Sequence, residues 1–302
     1  MNKELLKEFV LSNPRLVSMK PAGDGIFVLK YSKRVFYDNL WNDYLEECRG
    51  TIVDADFNVV SRPFTKIYNY GVEDKAPVLD DNTQVTAFRK VNGFMVAVTV
   101  RDGELLVSTT GSTANDYVDY AREMMAVHAP LTDWLIVLNT ADTEGMTFMF
   151  ECVHPKDPHI IIEKPGMYLL GYRENSWDSK VGHNPFTIMD LASMLNCFHA
   201  ESMTTNMLQL KALAKECRHE GFVLYTGDGL SAKIKSPYYL TSKWVARNPR
   251  TDKLVNMEAD IKKNLDEEYY PLVDAIRANI VEYTAMDEQA RLSWVRNYLE
   301  KV

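Results

Sequence analysis

The 302 residues, 46% hydrophobic and 25% charged, have the balance of a globular chain able to bury a sizeable core in one large domain or two smaller ones. A formal net charge of −8 argues against a globally basic nucleic-acid binder, so any polyanion has to be met by a local basic surface. Cys48, Cys152, Cys197 and Cys217 stand far apart without a CxxC pair, and no apolar run approaches the roughly 18 residues of a membrane span. These features argue against a disulfide framework, a zinc site and a membrane anchor, and for a cytoplasmic protein with reduced thiols.

In chain order, MNKELLKEFVLSNPRL carries charges through its apolar positions and predicts an amphipathic helix rather than a signal peptide. Short β-like runs broken by turn residues then extend from about residue 25 to 170: GIFVLKYS, RGTIVDADFNVVSRPF, FMVAVTVRDGELLVSTTG, FMFECV and YLLGYREN. Asp102-Gly103 is a hairpin signal, and Asp228-Gly229 joins a later strand pair, GFVLYTG and SAKIKS. Residues 115 to 127 and 185 to 210 carry helix-like spacing.

The expected fold class is α+β, with mostly antiparallel sheets and flanking helices over residues 1–243. After Trp244 the character changes. Leu272, Ile276 and Ile280 recur every fourth residue, Asp287 caps a final helix, and Leu292, Val295 and Leu299 line one face of it. A small all-helical C-terminal domain is expected over 244–302. Residues 247 to 302 hold nine Lys or Arg against eleven Asp or Glu, so this is no basic tail.

The chemistry points to Lys90, in Phe88-Arg89-Lys90-Val91-Asn92-Gly93, with Glu220-Gly221-Phe222-Val223 and Lys233-Ile234-Lys235 far downstream. A lysine amine attacks phosphorus only when neutral, so its pKa must fall from about 10.4 through burial or adjacent cations. Lys233 and Lys235, two apart on a strand, point into the same space and are candidates for those cations. Singly, each motif is weak: Lys90 fits a surface lysine beside a turn, Lys233 and Lys235 a solvated strand face, Arg49 and Lys66 surface charges, and Tyr68 a core aromatic. Glu151 follows FMF on a buried strand, where an unpaired charge is costly. The six histidines show no metal-ligand spacing and read as structural.

The ordered set is more specific. Glu47-Cys48-Arg49-Gly50, Ser61 to Asn69 (SRPFTKIYN), Lys90-Val91-Asn92-Gly93, Phe150-Glu151, Tyr172-Arg173-Glu174-Asn175, Glu220-Gly221-Phe222-Val223 and Lys233-Ile234-Lys235 together resemble the phage-type RNA ligase 1 family of covalent nucleotidyltransferases, over roughly residues 35 to 245. The resemblance implies an adenylyltransferase (nucleotidyltransferase) domain and an ATP-dependent RNA ligase. In such an enzyme Lys90 takes AMP from ATP, AMP passes to an RNA 5′-phosphate, and an RNA 3′-hydroxyl displaces it. The implied cofactors are ATP and Mg²⁺, with Mn²⁺ as its substitute. The implied partner is RNA with 5′-phosphate and 3′-hydroxyl ends, in RNA or tRNA repair, after an end-healing polynucleotide kinase/phosphatase and in the host cytoplasm of a phage.

Residue by residue, the resemblance makes Lys90 the nucleophile, with Arg89, Asn92 and Gly93 beside it and Gly93 allowing close approach of backbone to nucleotide. Lys233 and Lys235 meet the α-phosphate. Arg49 and Lys66 clasp the β- and γ-phosphates, and Tyr68 stacks on adenine. Glu151 takes a ribose hydroxyl or a metal-bound water, and Glu220 takes magnesium through water. Arg173 and Glu174 fit either a family segment or an internal ion pair, and Tyr238 and Tyr239 fit an RNA path.

Departures are visible too. Many relatives carry Asp at the position of Asn92 and Ser or Thr at that of Phe94, and Ser108-Thr109-Thr110-Gly111-Ser112 lacks a lysine that relatives often place near the Gly-Ser pair. Two other readings stay open: a DNA ligase or capping guanylyltransferase, against which the helical C-terminus counts, and a noncatalytic nucleic-acid-binding relative.

Overall fold

The computed structural model describes residues 1–247 and 270–299. Helix α1 (Lys3–Ser12) is opened by Asn2, whose side chain accepts from the Leu5 N–H. Strands β1 (Val17–Pro21), β2 (Ile26–Tyr31), β3 (Arg49–Asp54) and β4 (Val59–Ser61) follow, with α2 (Lys33–Tyr37) and α3 (Asp43–Glu47) between β2 and β3. These strands form an antiparallel sheet in chain order. Leu6 and Val10 of α1 pack with Val17, Leu29 and Val53 of that sheet, as the amphipathic pattern requires.

The chain then makes β5 (Tyr68–Asn69), β6 (Gln84–Arg89), β7 (Phe94–Arg101) and β8 (Glu104–Thr109) before helices α4 (Asp116–His128) and α5 (Leu131–Leu138). Asp102 and Gly103 both take positive φ, +52° and +78°, which is the left-handed turn expected of that pair. Strands β9 (Met146–Val153) and β10 (Gly166–Glu174) lead to α6 (Pro185–Met194).

Residues 185 to 210, expected to be helical, turn out otherwise. After α6 come two strands, β11 (Phe198–His199) and β12 (Ser202–Asn206), and only then α7 (Met207–Glu216). Pairing from Ser202↔Phe88 to Asn206↔Gln84 lets β12 close the open edge of β6, a tertiary demand that overrides local spacing. Strands β13 (Gly221–Thr226) and β14 (Ser231–Lys235) complete the body.

The second sheet has the order β12-β6-β13-β14-β5, and the third β11-β10-β9-β7-β8. Only β10 with β11 and β14 with β5 pair in parallel among the described residues, so the fold is α+β and mostly antiparallel as expected. The main core lies between these two sheets and α4, α5 and α6, around Phe88, Val98, Trp134, Phe148 and Phe150.

Helix α8 (Pro237–Arg247) and, beyond it, α9 (Tyr270–Ala278), α10 (Ile280–Ala285) and α11 (Glu288–Leu299) share a separate core of Val245, Leu272, Ile276, Tyr283 and Val295. Asp287 caps α11, its Oδ1 accepting from the Ala290 N–H at 2.8 Å. The boundary placed at residue 243 falls inside α8, whose last turns already belong to this helical core. The Leu299 side chain lies outside the described residues. Among the described residues no helix is long and apolar enough to cross a membrane.

Candidate active site

The second sheet is two-faced because side chains alternate along its strands. One face, with Val85, Ala87, Phe222, Leu224 and Ala232, is covered by Met207, Leu210 and Ala214 of α7. The opposite face therefore carries Phe88, Val223, Tyr225 and Lys233, and pairing aligns Phe88, Val223 and Lys233 across β6, β13 and β14. Lys90 follows β6 directly and is tied to the sheet by its N–H, which donates to the Gly221 carbonyl at 2.8 Å.

Facing this row, the third sheet supplies Met95, Glu151 and Leu170, and the first sheet supplies Arg49. Together they enclose a cavity of about 260 Å³ that also touches Arg89, Phe64, Ile67 and Thr110. Its walls mix apolar side chains with the basic groups Arg49, Arg89, Lys90 and Lys233 and the carboxylate of Glu151. Arg49 and Lys233 have no direct ion-pair partner among the described residues, although Glu151 shares the cavity lining and Glu73 acts on Arg49 from farther off.

Lys90 Nζ lies 3.1 Å from Glu220 Oε2, and Lys235 Nζ lies 3.9 Å from Glu220 Oε1. Glu220 also accepts from the Asn92 amide at 2.6 Å, and Glu151 accepts from the Gly93 N–H at 3.0 Å. Both carboxylates are buried. Burial raises the Glu151 pKa, with Lys90 opposing and Glu220 adding to the rise.

The charge state of Lys90 runs against expectation. Burial alone pushes its pKa down, but Glu151 and Glu220 outweigh burial and hold it above the ordinary lysine value. The depression falls on Lys233 instead. Burial, then Lys235, Arg49, Lys66 and Lys90, bring that lysine down to about 7. Lys235 is lowered as well, chiefly by burial.

Several other expected roles are also redrawn. The Lys66 ammonium is 2.5 Å from Glu73 Oε1 and lies 4.7 Å and 4.3 Å from the Trp41 and Tyr68 ring centres, so it is buried behind the cavity rather than in its lining. Tyr68 packs in the first core with its hydroxyl donating to Glu46 at 2.6 Å, and offers no face to a base in the cavity. Asn92 reaches Glu220 and the Ile161 N–H, which makes it a positioning group for the carboxylate. A Cβ on Gly93 would come 2.3 Å from the Cys152 carbonyl oxygen, so a glycine is required there by the neighbouring strand alone.

Arg89 lines the cavity but donates to Glu163 at 2.8 and 2.9 Å. Arg173 pairs with no carboxylate among the described residues; it clamps the Ser179 and Pro63 carbonyls. Tyr239 is buried with Lys235 and Lys243 against its ring, and Tyr238 packs on the C-terminal helical core, so neither lines an open path.

The apolar walls Phe64, Ile67, Leu170, Val223 and Tyr225 went unassigned in the sequence. Alternation through β13 marks Val223 and Tyr225 as sharing the face of Lys233, but nothing local marks the other three. Lys30 of β2 lies so close to Gly111 that a Cβ there would come 2.4 Å from its Nζ, but it lines a neighbouring cleft and not this cavity.

Three solved structures share this fold. A protein of Aquifex aeolicus assigned as an ATP-dependent DNA ligase superposes with a TM-score of 0.56 at 15% identity, covering 98% of this chain and 77% of its own. Two forms of an archaeal ATP-dependent RNA ligase superpose with TM-scores of 0.55 and 0.56 at 14% and 15% identity, covering 99% of this chain and 80% of theirs. No family model matches the sequence, and no curated protein matches it by sequence. The chain thus shares its fold with these ATP-dependent ligases.

Proposed function

We propose that this chain is an ATP-dependent RNA ligase that joins a 5′-phosphate to a 3′-hydroxyl through a lysyl-AMP intermediate on Lys90. The observation that carries the reading is one cavity lined by Lys90, Arg49 and Lys233 together with the apolar side chains Phe64, Ile67, Leu170 and Val223. A nucleotide's phosphates would engage the basic groups and draw a proton onto Lys233, while its base packs on the apolar ones. The RNA ligase among the fold neighbours supports this choice of strand.

The Lys90 amine forms the N–P bond to the α-phosphorus, pyrophosphate leaves, and the amine proton is released to solvent. Lys233 and Lys235 stabilise charge on the non-bridging oxygens, and Arg49 holds the leaving phosphates. A 5′-phosphate oxygen then takes AMP from Lys90, and the 3′-hydroxyl oxygen displaces AMP to leave the new phosphodiester. Because Lys90 is held as a cation, loss of its proton must precede attack.

The acid residues fit a divalent ion only together with the nucleotide. Among the described residues no group of three His, Cys, Asp or Glu could hold a metal alone, whereas Glu151 lines the cavity and Glu220 contacts Lys90. Mg²⁺ or Mn²⁺ retained there with phosphate oxygens and water would neutralise phosphate charge. The helical unit over 244–302 is proposed as a separate domain, consistent with its own core.

Intact-protein mass spectrometry after incubation with ATP and Mg²⁺ tests the reading. We expect a gain of one adenylyl group that disappears in Lys90→Ala, followed by joining of 5′-phosphorylated RNA. Labelling that survives in Lys90→Ala, or no labelling at all, refutes it, the latter favouring a noncatalytic binder. Joining of DNA in place of RNA would transfer the assignment to the strand of the Aquifex neighbour.

A further inference from the structure

Beside the nucleotide cavity lies a second, larger cleft of about 1080 Å³, and the two share Met95 and Thr110 as a common wall. Lys20 and Lys30 line it, and among its lining residues the single carboxylate is Asp157, which His159 engages at 2.9 Å. In the antiparallel β1–β2 pair Lys20 stands opposite Val28 and Ser18 opposite Lys30, so both lysines share one face as diagonal neighbours. Across the next pair Lys30 stands opposite Arg49.

A register shift between Leu29 and Lys30 interrupts the β2–β3 pair, and Lys20, Lys30 and Arg49 lie in order on β1, β2 and β3, the two lysines lining the cleft and Arg49, with its guanidinium over the Tyr31 ring, lining the cavity. Like charges directly opposite on a sheet repel, and none of the three has an ion-pair partner among the described residues. Tyr117, 42% exposed, lines the cleft, its ring perpendicular to that of Phe94 with centres 4.9 Å apart and 5.9 Å from that of Tyr120, and its hydroxyl 3.4 Å from Asp157 Oδ1. A cationic track with an exposed aromatic is the pattern that holds a strand by its phosphates and one of its bases.

We propose that this cleft binds a single-stranded polynucleotide, Lys20 and Lys30 contacting successive phosphates and Tyr117 a base, so that the strand's end reaches the cavity across Thr110. The proposal rests on the ligase reading for its purpose but not for its chemistry. Phosphate could equally arrive here as the tail of a nucleoside triphosphate. The volume, several times that of the nucleotide cavity, and the exposed ring favour a strand.

The test pairs fluorescence anisotropy of a labelled, 5′-phosphorylated single-stranded RNA with self-labelling by ATP, in Lys20→Ala/Lys30→Ala, the charge reversal Lys20→Glu at an exposed position, and Tyr117→Leu, all with unchanged unfolding midpoints. We expect the double variant to bind RNA about ten-fold more weakly, with a log–log salt slope shallower by about 1.4, or about 0.7 per lost phosphate contact. Lys20→Glu and Tyr117→Leu should also weaken binding, and self-labelling should persist in all three. Unchanged RNA affinity and slope in the double variant overturn the proposal, as does intact RNA binding with lost self-labelling, which assigns the cleft to the triphosphate. A parent protein that binds RNA through these residues yet never labels supports the cleft while refuting the ligase reading.

Discussion

The Lys90 ammonium sits 3.1 Å from Glu220 Oε2, so the candidate nucleophile is held in its unreactive form by a carboxylate expected to serve a metal. Replacing Glu220 by Gln keeps the shape and the contact to Asn92 but removes one of the two charges that favour the ammonium. Lys90 should then titrate lower. Competitive acylation read by peptide mapping, from about pH 8 to about pH 11, measures this midpoint. An unmoved midpoint would leave Glu151 as the group responsible.

Asn92 donates to Glu220 at 2.6 Å in a buried place. Asn92→Asp converts that contact into a pair of carboxylates, one of which must stay protonated or repel its neighbour. We expect a loss of about 1–3 kcal/mol in urea unfolding. The loss should be larger near pH 8 than near pH 5, because the introduced carboxylate gives up its proton more readily in the unfolded chain than beside Glu220. Equal losses at both values would show that charge repulsion is not its source.

Lys233, depressed to about 7, binds fewer protons in the folded chain than in the unfolded chain, where its pKa is about 10.4. Its contribution to stability therefore rises with pH between those values, and Lys233→Met should flatten that slope. An anion in the cavity restores the proton. Binding of an ATP analogue with a methylene α,β-bridge near pH 8 should take up close to one proton. Calorimetry in two buffers of different ionisation enthalpy reads the uptake, and an uptake retained in Lys233→Met would place the proton elsewhere.

Gly93→Ala forces a Cβ to within 2.3 Å of the Cys152 carbonyl oxygen, so the turn after Lys90 must move away from Glu151. We expect lower stability by about 1–3 kcal/mol, as for other overpacked sites, and a loss of self-labelling larger than instability alone explains. A variant that labels at the parent rate in the cold would show that the backbone at this turn does not position the nucleophile.

Alternation made much of the site legible in advance. Lys233 and Lys235 on one face, the Asp102-Gly103 turn and the capped final helix all follow from spacing that neighbours respect. The roles of Lys66 and Tyr68 were not legible, because Glu73, Trp41 and Glu46 capture them only after the chain folds back on itself. Nor was the charge of Lys90: the cations Lys233 and Lys235 were visible, but the folding that sets Glu151 and Glu220 against Lys90 is tertiary. Strand β12 escaped for the same reason, being an exposed edge with little apolar pattern of its own.

Arg49 comes from the first sheet, Lys90 follows a strand of the second, and Glu151 belongs to the third. No contiguous third of the polypeptide carries the working set, and a proteolytic piece that retained its own hydrophobic interior would still be inert. Two complementary fragments severed at an exposed loop would regain activity only by reassembling, which makes recovered turnover a direct report that all three layers have docked.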